Sequence, residues 1–169
     1  MRLHKDYLAI IGVMHMEQLM ANYFLHTNRK IHPDEYFLHV ESVLAKDLVN
    51  VGLGIVLYKN GVQIWGKSMV VSEMSELEAY YSGIILGLEE VLEQGIVNIV
   101  VGGSGLAIRQ MTGDKYGEYH FGSDQGFQYY LRAKELAEMF STIRFREMVS
   151  GGKAFEMAKG IGILYEPYI

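Results

Sequence analysis

The order of apolar and polar positions predicts a group of strands in the first half of the chain. β-Branched, alternating runs predict strands over 36–42, 51–59 and 62–70. Asn60 and Gly61 separate the last two runs, and this pair favours the positive φ angles of a two-residue hairpin turn. Three successive strands joined in this way predict an antiparallel meander.

A helical pattern follows the meander. Ser75 is a favourable N-cap with Glu78 at the capping-box spacing, and Gly95 is a typical helix terminator. Apolar residues recur between these signals at the spacing of one helix face: Leu77, Tyr81, Ile84, Ile85, Leu88 and Leu92.

The second half of the chain alternates strands with helices. The run IVNIVV (96–101) predicts a strand, and Gly102-Gly103-Ser104-Gly105 leads from it into a short helix that begins near Ser104. A polar stretch then precedes three further elements, namely a helix over 127–140, a strand over 142–148 and a terminal helix or irregular tail over 152–164. This order predicts an α/β fold around a mixed five-stranded sheet, with three antiparallel strands followed by two parallel strands.

Residues 6–26 predict a helix that is apolar on almost every side, although the early run YLAIIGV also fits a strand. A helix of this kind needs covering all round, and one domain covers only one of its faces. We therefore expect an N-terminal helical extension over 1–33, a main domain over 34–169, and contact with a protein partner or a second copy. The expected contact residues are Leu8, Ile11, Met14, Leu19 and Tyr23.

Composition narrows the classes of function. The chain has 169 residues, a net charge of −5 and no cysteine, so it has no general attraction for nucleic acid or anionic membranes and no disulfide or zinc–thiolate site. His15 and Glu17 interrupt the longest apolar stretch, and no signal-peptide pattern is evident. We expect a soluble protein of the cytoplasm or another reducing compartment, with no membrane partner.

Three stretches resemble the ribonuclease H-like superfamily. VESVLAKDLVNVGLGIVLYKNG resembles its first two strands, SELEAYYSGIILGLEEVLEQGI its first long helix, and IVVGGSGLAIRQM its next strand and helix. Ser104, Leu106 and Gln110 fit the pattern of the last stretch, and GGKAFEMAKG is a weaker match to the final helix. The resemblance covers roughly residues 36 to 160 and implies a ribonuclease H-like fold.

Members of this superfamily cleave RNA in RNA–DNA hybrids with two divalent ions held by four acidic residues. The resemblance places Glu41, Glu78, Gly103 and Lys153 at these four positions. A glycine supplies no ligand and an ammonium group repels a cation, so the resemblance implies a site that has lost its metal ions and its activity. Lys153 is then expected to form a salt bridge with the two glutamates in place of the lost cation.

The sequence therefore predicts a catalytically inactive domain that serves as a protein-binding or scaffolding module within a nucleic-acid-handling assembly. Protein is the first expected partner class and nucleic acid the second, and no cofactor is expected. The alternative is a divergent nuclease that binds magnesium or manganese through Glu41, Glu78 and a third carboxylate such as Asp114 or Asp124.

Overall fold

The computed structural model describes residues 35–113 and 121–163. The strands in these ranges are β1 (Tyr36–Leu44), β2 (Val51–Lys59), β3 (Val62–Val71), β4 (Asn98–Gly103) and β5 (Thr142–Glu147). The helices are α1 (Glu76–Glu93), α2 (Leu106–Thr112), α3 (Asp124–Ala137) and α4 (Gly152–Ile163). The predicted N-terminal helix and its five contact residues lie outside the described residues.

The strands form one mixed sheet with the spatial order β3-β2-β1-β4-β5. The pairs β1–β2 and β2–β3 are antiparallel, whereas β1–β4 and β4–β5 are parallel. The predicted architecture of three antiparallel and then two parallel strands is confirmed. Within the described residues, no helix combines the length and the apolar character needed to cross a membrane.

Helices cover both faces of the sheet. Because successive side chains of a strand point to opposite faces, β1 sends Leu38 and Val40 into the larger core beneath α1 and sends Phe37 to the face covered by α4. Ala154 of α4 packs in that second cluster. Alternation along the central strand therefore decides which side chains meet which helix.

The local signals read from the sequence are present. The Ser75 side chain accepts a hydrogen bond from the Glu78 amide at 3.1 Å, and Gly95 follows α1 with a φ of 79°. Asn60 and Gly61 have φ angles of 52° and 75°, as the hairpin turn requires.

Two predicted boundaries differ from the structure, and one open alternative is decided. Helix α3 begins at Asp124 instead of residue 127, because Ser123 caps it by accepting a hydrogen bond from the Gly126 amide at 3.0 Å. Strand β4 begins and ends two residues later than predicted, since its hydrogen-bonded pairing with β5 extends to Gly103. Of the two alternatives for the last segment, the terminal helix is the one that the structure contains, from Gly152.

Candidate functional site

The candidate site lies at the end of the sheet where the parallel strands β1, β4 and β5 finish. Glu41 stands near the end of β1 and pairs in register with Gly54 of β2. Its side chain is only 1% exposed. Burying a carboxylate so completely is costly unless hydrogen bonds compensate for the lost water.

Both oxygens of the Glu41 carboxylate are hydrogen bonded. His39 lies two positions earlier on the same face of β1, and its Nε2 donates to Oε1 at 3.0 Å. Ser104 Oγ donates to Oε2 at 2.5 Å, and Ser150 Oγ donates in turn to Ser104 Oγ at 2.9 Å. A chain of hydrogen bonds therefore joins β1 to the β4–α2 junction and to the exposed loop before α4.

Tyr80 of α1 fills the space beside Gly103. Its hydroxyl donates a hydrogen bond to the carbonyl oxygen of Val40. A Cβ atom at position 103 would overlap both the Tyr80 hydroxyl and that carbonyl oxygen, and would lie 3.1 Å from Tyr80 Cζ. Position 103 therefore holds glycine because a phenol and a backbone oxygen occupy the place of a side chain.

The Tyr80 hydroxyl remains protonated. Burial and then the negative charge of Glu41 raise the pKa of Tyr80 well above its ordinary value, although hydrogen bonds from the backbone amides of Gly105 and Ser104 act in the opposite direction. A neutral phenol can donate a hydrogen bond to the carbonyl oxygen of Val40, whereas a phenolate has no hydrogen to donate. The group beside Glu41 is consequently an uncharged hydrogen-bond donor and not an acid.

Glu78 has a different neighbourhood. Its carboxylate accepts a hydrogen bond from Ser123 Oγ at 2.8 Å, at the start of α3. Residues two apart on a helix are rotated by about 200° from each other, so Glu78 and Tyr80 point to nearly opposite sides of α1. The side chain of α1 that faces Gly103 is that of Tyr80.

Lys153 lies in the first turn of α4. Among the described residues no ion pair joins it to Glu41 or Glu78. The predicted salt bridge is wrong, because His39 and Ser104 satisfy Glu41 and Ser123 satisfies Glu78.

The residues present do not fit a divalent-cation site. Magnesium requires several oxygen ligands, yet Gly103 offers no side chain and the residue of α1 that faces it, Tyr80, brings a neutral phenol and no carboxylate. In residues 35–113 and 121–163, no three His, Cys, Asp or Glu side chains cluster as metal ligands. Asp124, at the exposed start of α3, does not complete such a group, and Asp114 lies outside the described residues.

Sequence reasoning missed Tyr80, His39 and Ser150 as members of this site. Two signals were available for the first two. His39 and Glu41 occupy alternate positions of one strand, which places them on one face. A large aromatic residue in α1 also complements the small side chains of a glycine-rich turn by volume. Nothing in the sequence pattern indicates the contact of Ser150 with Ser104.

Replacing Glu41 with alanine is expected to lower the free energy of unfolding by about 2 kcal/mol, because His39 and Ser104 lose their acceptor in a buried site. Glu41→Gln keeps one acceptor oxygen and is expected to cost about half as much. Urea denaturation of both variants measures the difference. Equal stability of Glu41→Ala and the unaltered chain would show that these hydrogen bonds contribute nothing.

Comparison with known proteins supports the fold of this chain and does not extend to its function. No protein-family model matches the chain, and neither does any curated protein sequence. Several solved structures are similar in three dimensions. Ribonuclease H1 from Halobacterium salinarum has a TM-score of 0.62 and 18% identity, over 75% of this chain and 93% of that one.

Two other structures are similar to a comparable extent. The N-terminal ribonuclease H domain of a Mycobacterium tuberculosis protein has a TM-score of 0.65 and 16% identity, over 78% of this chain and 95% of that one. LC11-RNase H1, solved in complex with an RNA/DNA hybrid, has a TM-score of 0.63 and 16% identity, over 75% and 95%. The chain therefore has the ribonuclease H-like fold.

Proposed function

We propose that this chain is a catalytically inactive ribonuclease H-like domain that acts as a protein-binding or scaffolding module. One observation carries the proposal. The Tyr80 hydroxyl and the Val40 carbonyl oxygen occupy the space that a side chain at position 103 would need. A carboxylate at that point therefore requires the backbone of β1 and the ring of Tyr80 to move.

The electrostatics of Glu41 support the same proposal. The Glu41 carboxylate accepts hydrogen bonds from His39 and Ser104, and these bonds compensate for its burial without any metal ion. Divalent-ion chemistry in this fold class depends on several such oxygens acting together. One buried carboxylate beside a neutral phenol supplies too few anionic oxygens for that chemistry.

Assays of metal binding and hybrid cleavage test the proposal. We expect no cleavage of an RNA/DNA hybrid with magnesium or manganese. We also expect manganese titrations of Glu41→Gln and Glu78→Gln to be indistinguishable from that of the unaltered chain. Glu93→Gln is a matched control, because Glu93 is an exposed glutamate at the far end of α1.

Cleavage that requires the metal and disappears in Glu41→Gln would overturn the proposal and support the alternative, a divergent metal-dependent nuclease. That alternative draws on the likeness to LC11-RNase H1, which was solved with an RNA/DNA hybrid. Binding of the hybrid without cleavage would place the chain in a nucleic-acid-handling assembly. Such binding should weaken steeply as salt concentration rises.

A further inference from the structure

The end of the sheet that holds Glu41 is bordered by exposed apolar side chains. The C-terminal ends of the parallel strands β1, β4 and β5 lie at this end, so the loops that follow them lie there too. We call its exposed large apolar residues the apolar rim: Leu44, Leu48, Val49, Leu106 and Val149. A group of apolar side chains around a closed site is typical of a surface that another protein covers.

Leu48 is held outward by an ordered turn. Its side chain is 74% exposed and its φ angle is 60°, a backbone region that a leucine seldom adopts. The Asp47 carboxylate accepts hydrogen bonds from the Val49 and Asn50 amides, each at 2.9 Å, and these bonds fix the turn. An apolar side chain in an unfavourable backbone conformation, presented to solvent by a fixed turn, indicates a contact residue.

The charges around the rim are mainly negative. Hydrogen bonds from the amides of Asn50 and Val49 lower the pKa of Asp47, so this carboxylate stays ionised. The other described acidic residues at this end of the sheet are Glu73, Glu76, Glu78 and Asp124, and they outnumber the basic residues Lys46, Arg146 and Lys153. Arg109 pairs with Glu147 at 2.7 Å and adds no net charge. The surface suits an apolar segment with basic flanks and repels phosphates.

The chain carries a segment of this chemistry. Residues 7–25 are almost wholly apolar and contain one charged residue, Glu17. Basic residues exceed acidic ones in the flanking stretches 1–6 and 26–34, with Arg2, Lys5, Arg29 and Lys30 against Asp6 and Asp34. The apolar segment therefore complements the apolar side chains of the rim, and its basic flanks complement the negative charges around the rim.

The position of β1 favours a segment from another molecule. β1 begins at the end of the sheet opposite the rim and extends about 30 Å over its nine residues. The linker 26–34 reaches at most about 32 Å when fully extended. Docking within one chain would need the linker to be almost fully extended, whereas docking onto a second copy requires only that the partner's rim lie within the reach of the linker.

We infer that residues 7–25 of one copy dock on the apolar rim of a second copy, and that the exchange is reciprocal. A reciprocal exchange gives a closed twofold dimer in which both rims and both segments are covered. This inference rests on the proposed function, because it names the partner of the binding module. It concerns assembly, so it is tested separately from metal binding and cleavage.

Solution mass of the full-length chain tests the inference. We expect the unaltered chain to be a dimer. Leu48→Asp with Val149→Asp removes two rim contacts and Met14→Asp alters the segment, so either change should weaken dimerisation at least tenfold. Val62→Asp is the matched control, because Val62 is a 63% exposed valine at the opposite end of the sheet and should leave the dimer intact. Thermal unfolding checks that each variant folds.

Mixing the two kinds of variant identifies the exchanged contact. The rim variant retains a normal segment and the Met14→Asp variant retains a normal rim, so the mixture should form a mixed dimer although neither variant dimerises well alone. A monomeric unaltered chain would overturn the inference. A dimer that is insensitive to the rim substitutions, or variants that fail to complement each other, would also overturn it. Absence of hybrid cleavage in any of these cases would leave the proposed function standing.

Discussion

Replacing Gly103 with alanine is expected to lower the free energy of unfolding by about 3 kcal/mol or more. The new methyl group would overlap the Tyr80 hydroxyl and the Val40 carbonyl oxygen. To make room, the hydroxyl must leave its buried acceptor and β1 must shift. Urea denaturation followed by circular dichroism measures the loss.

A double-mutant cycle assigns that loss to Tyr80. Tyr80→Phe removes the hydroxyl and leaves the ring, whose nearest atom is 3.1 Å from the added methyl group. The Gly103→Ala change should therefore cost at least about 1 kcal/mol less in the Tyr80→Phe background. Gly160→Ala controls for the substitution itself, since a Cβ at that helical position meets nothing within 4 Å. Additive effects of the two changes would contradict a close contact between position 103 and the Tyr80 hydroxyl.

Replacing Gly54 with alanine is expected to cost a similar amount, about 3 kcal/mol or more, and to loosen α4. A Cβ at this position would overlap the carbonyl oxygen of Ala154 and lie 2.8 Å from its carbonyl carbon. These are backbone atoms of α4, so no rotation of a side chain relieves the overlap. The helix must move away from β2, which opens the cluster around Val56 and Ala154.

Amide hydrogen exchange locates this effect. Protection in α4 should fall in Gly54→Ala while protection in α1, on the other face of the sheet, changes much less. Gly66→Ala on β3 is the matched control, because the added methyl group would meet first the end of the flexible Gln63 side chain, at 2.7 Å. Unchanged exchange in α4 would show that this close approach of helix and strand does not matter to stability.

The order of strands and helices could be predicted because its signals are local. The Asn60–Gly61 turn, the Ser75 cap and the end of α1 at Gly95 each depend on a few consecutive residues, and the structure contains all three. The sequence pattern predicts the start of α3 three residues late, because Ser123 lies within a polar, glycine-containing stretch. Its cap is a hydrogen bond to Gly126 that composition alone does not reveal.

The candidate site was harder to predict because its members come from distant parts of the chain. Glu41 was named from its resemblance to an acidic position, but its contacts with His39 and Ser104 appear only when β1 lies beside the β4–α2 junction. Glu78 was chosen on α1, where a displacement of two residues turns a side chain by about 200°. The sequence alone therefore left open which side chain of α1 faces Gly103.

The sequence by itself determined the α/β architecture, since turns, caps and the periods of apolar residues are properties of short segments. It also determined that position 103 carries no acid. Only the tertiary structure decided what stands there instead, namely the hydroxyl of Tyr80 against the carbonyl oxygen of Val40. The physical reason is that close packing between a helix and a strand depends on their relative placement to within a fraction of an ångström, which no local pattern specifies.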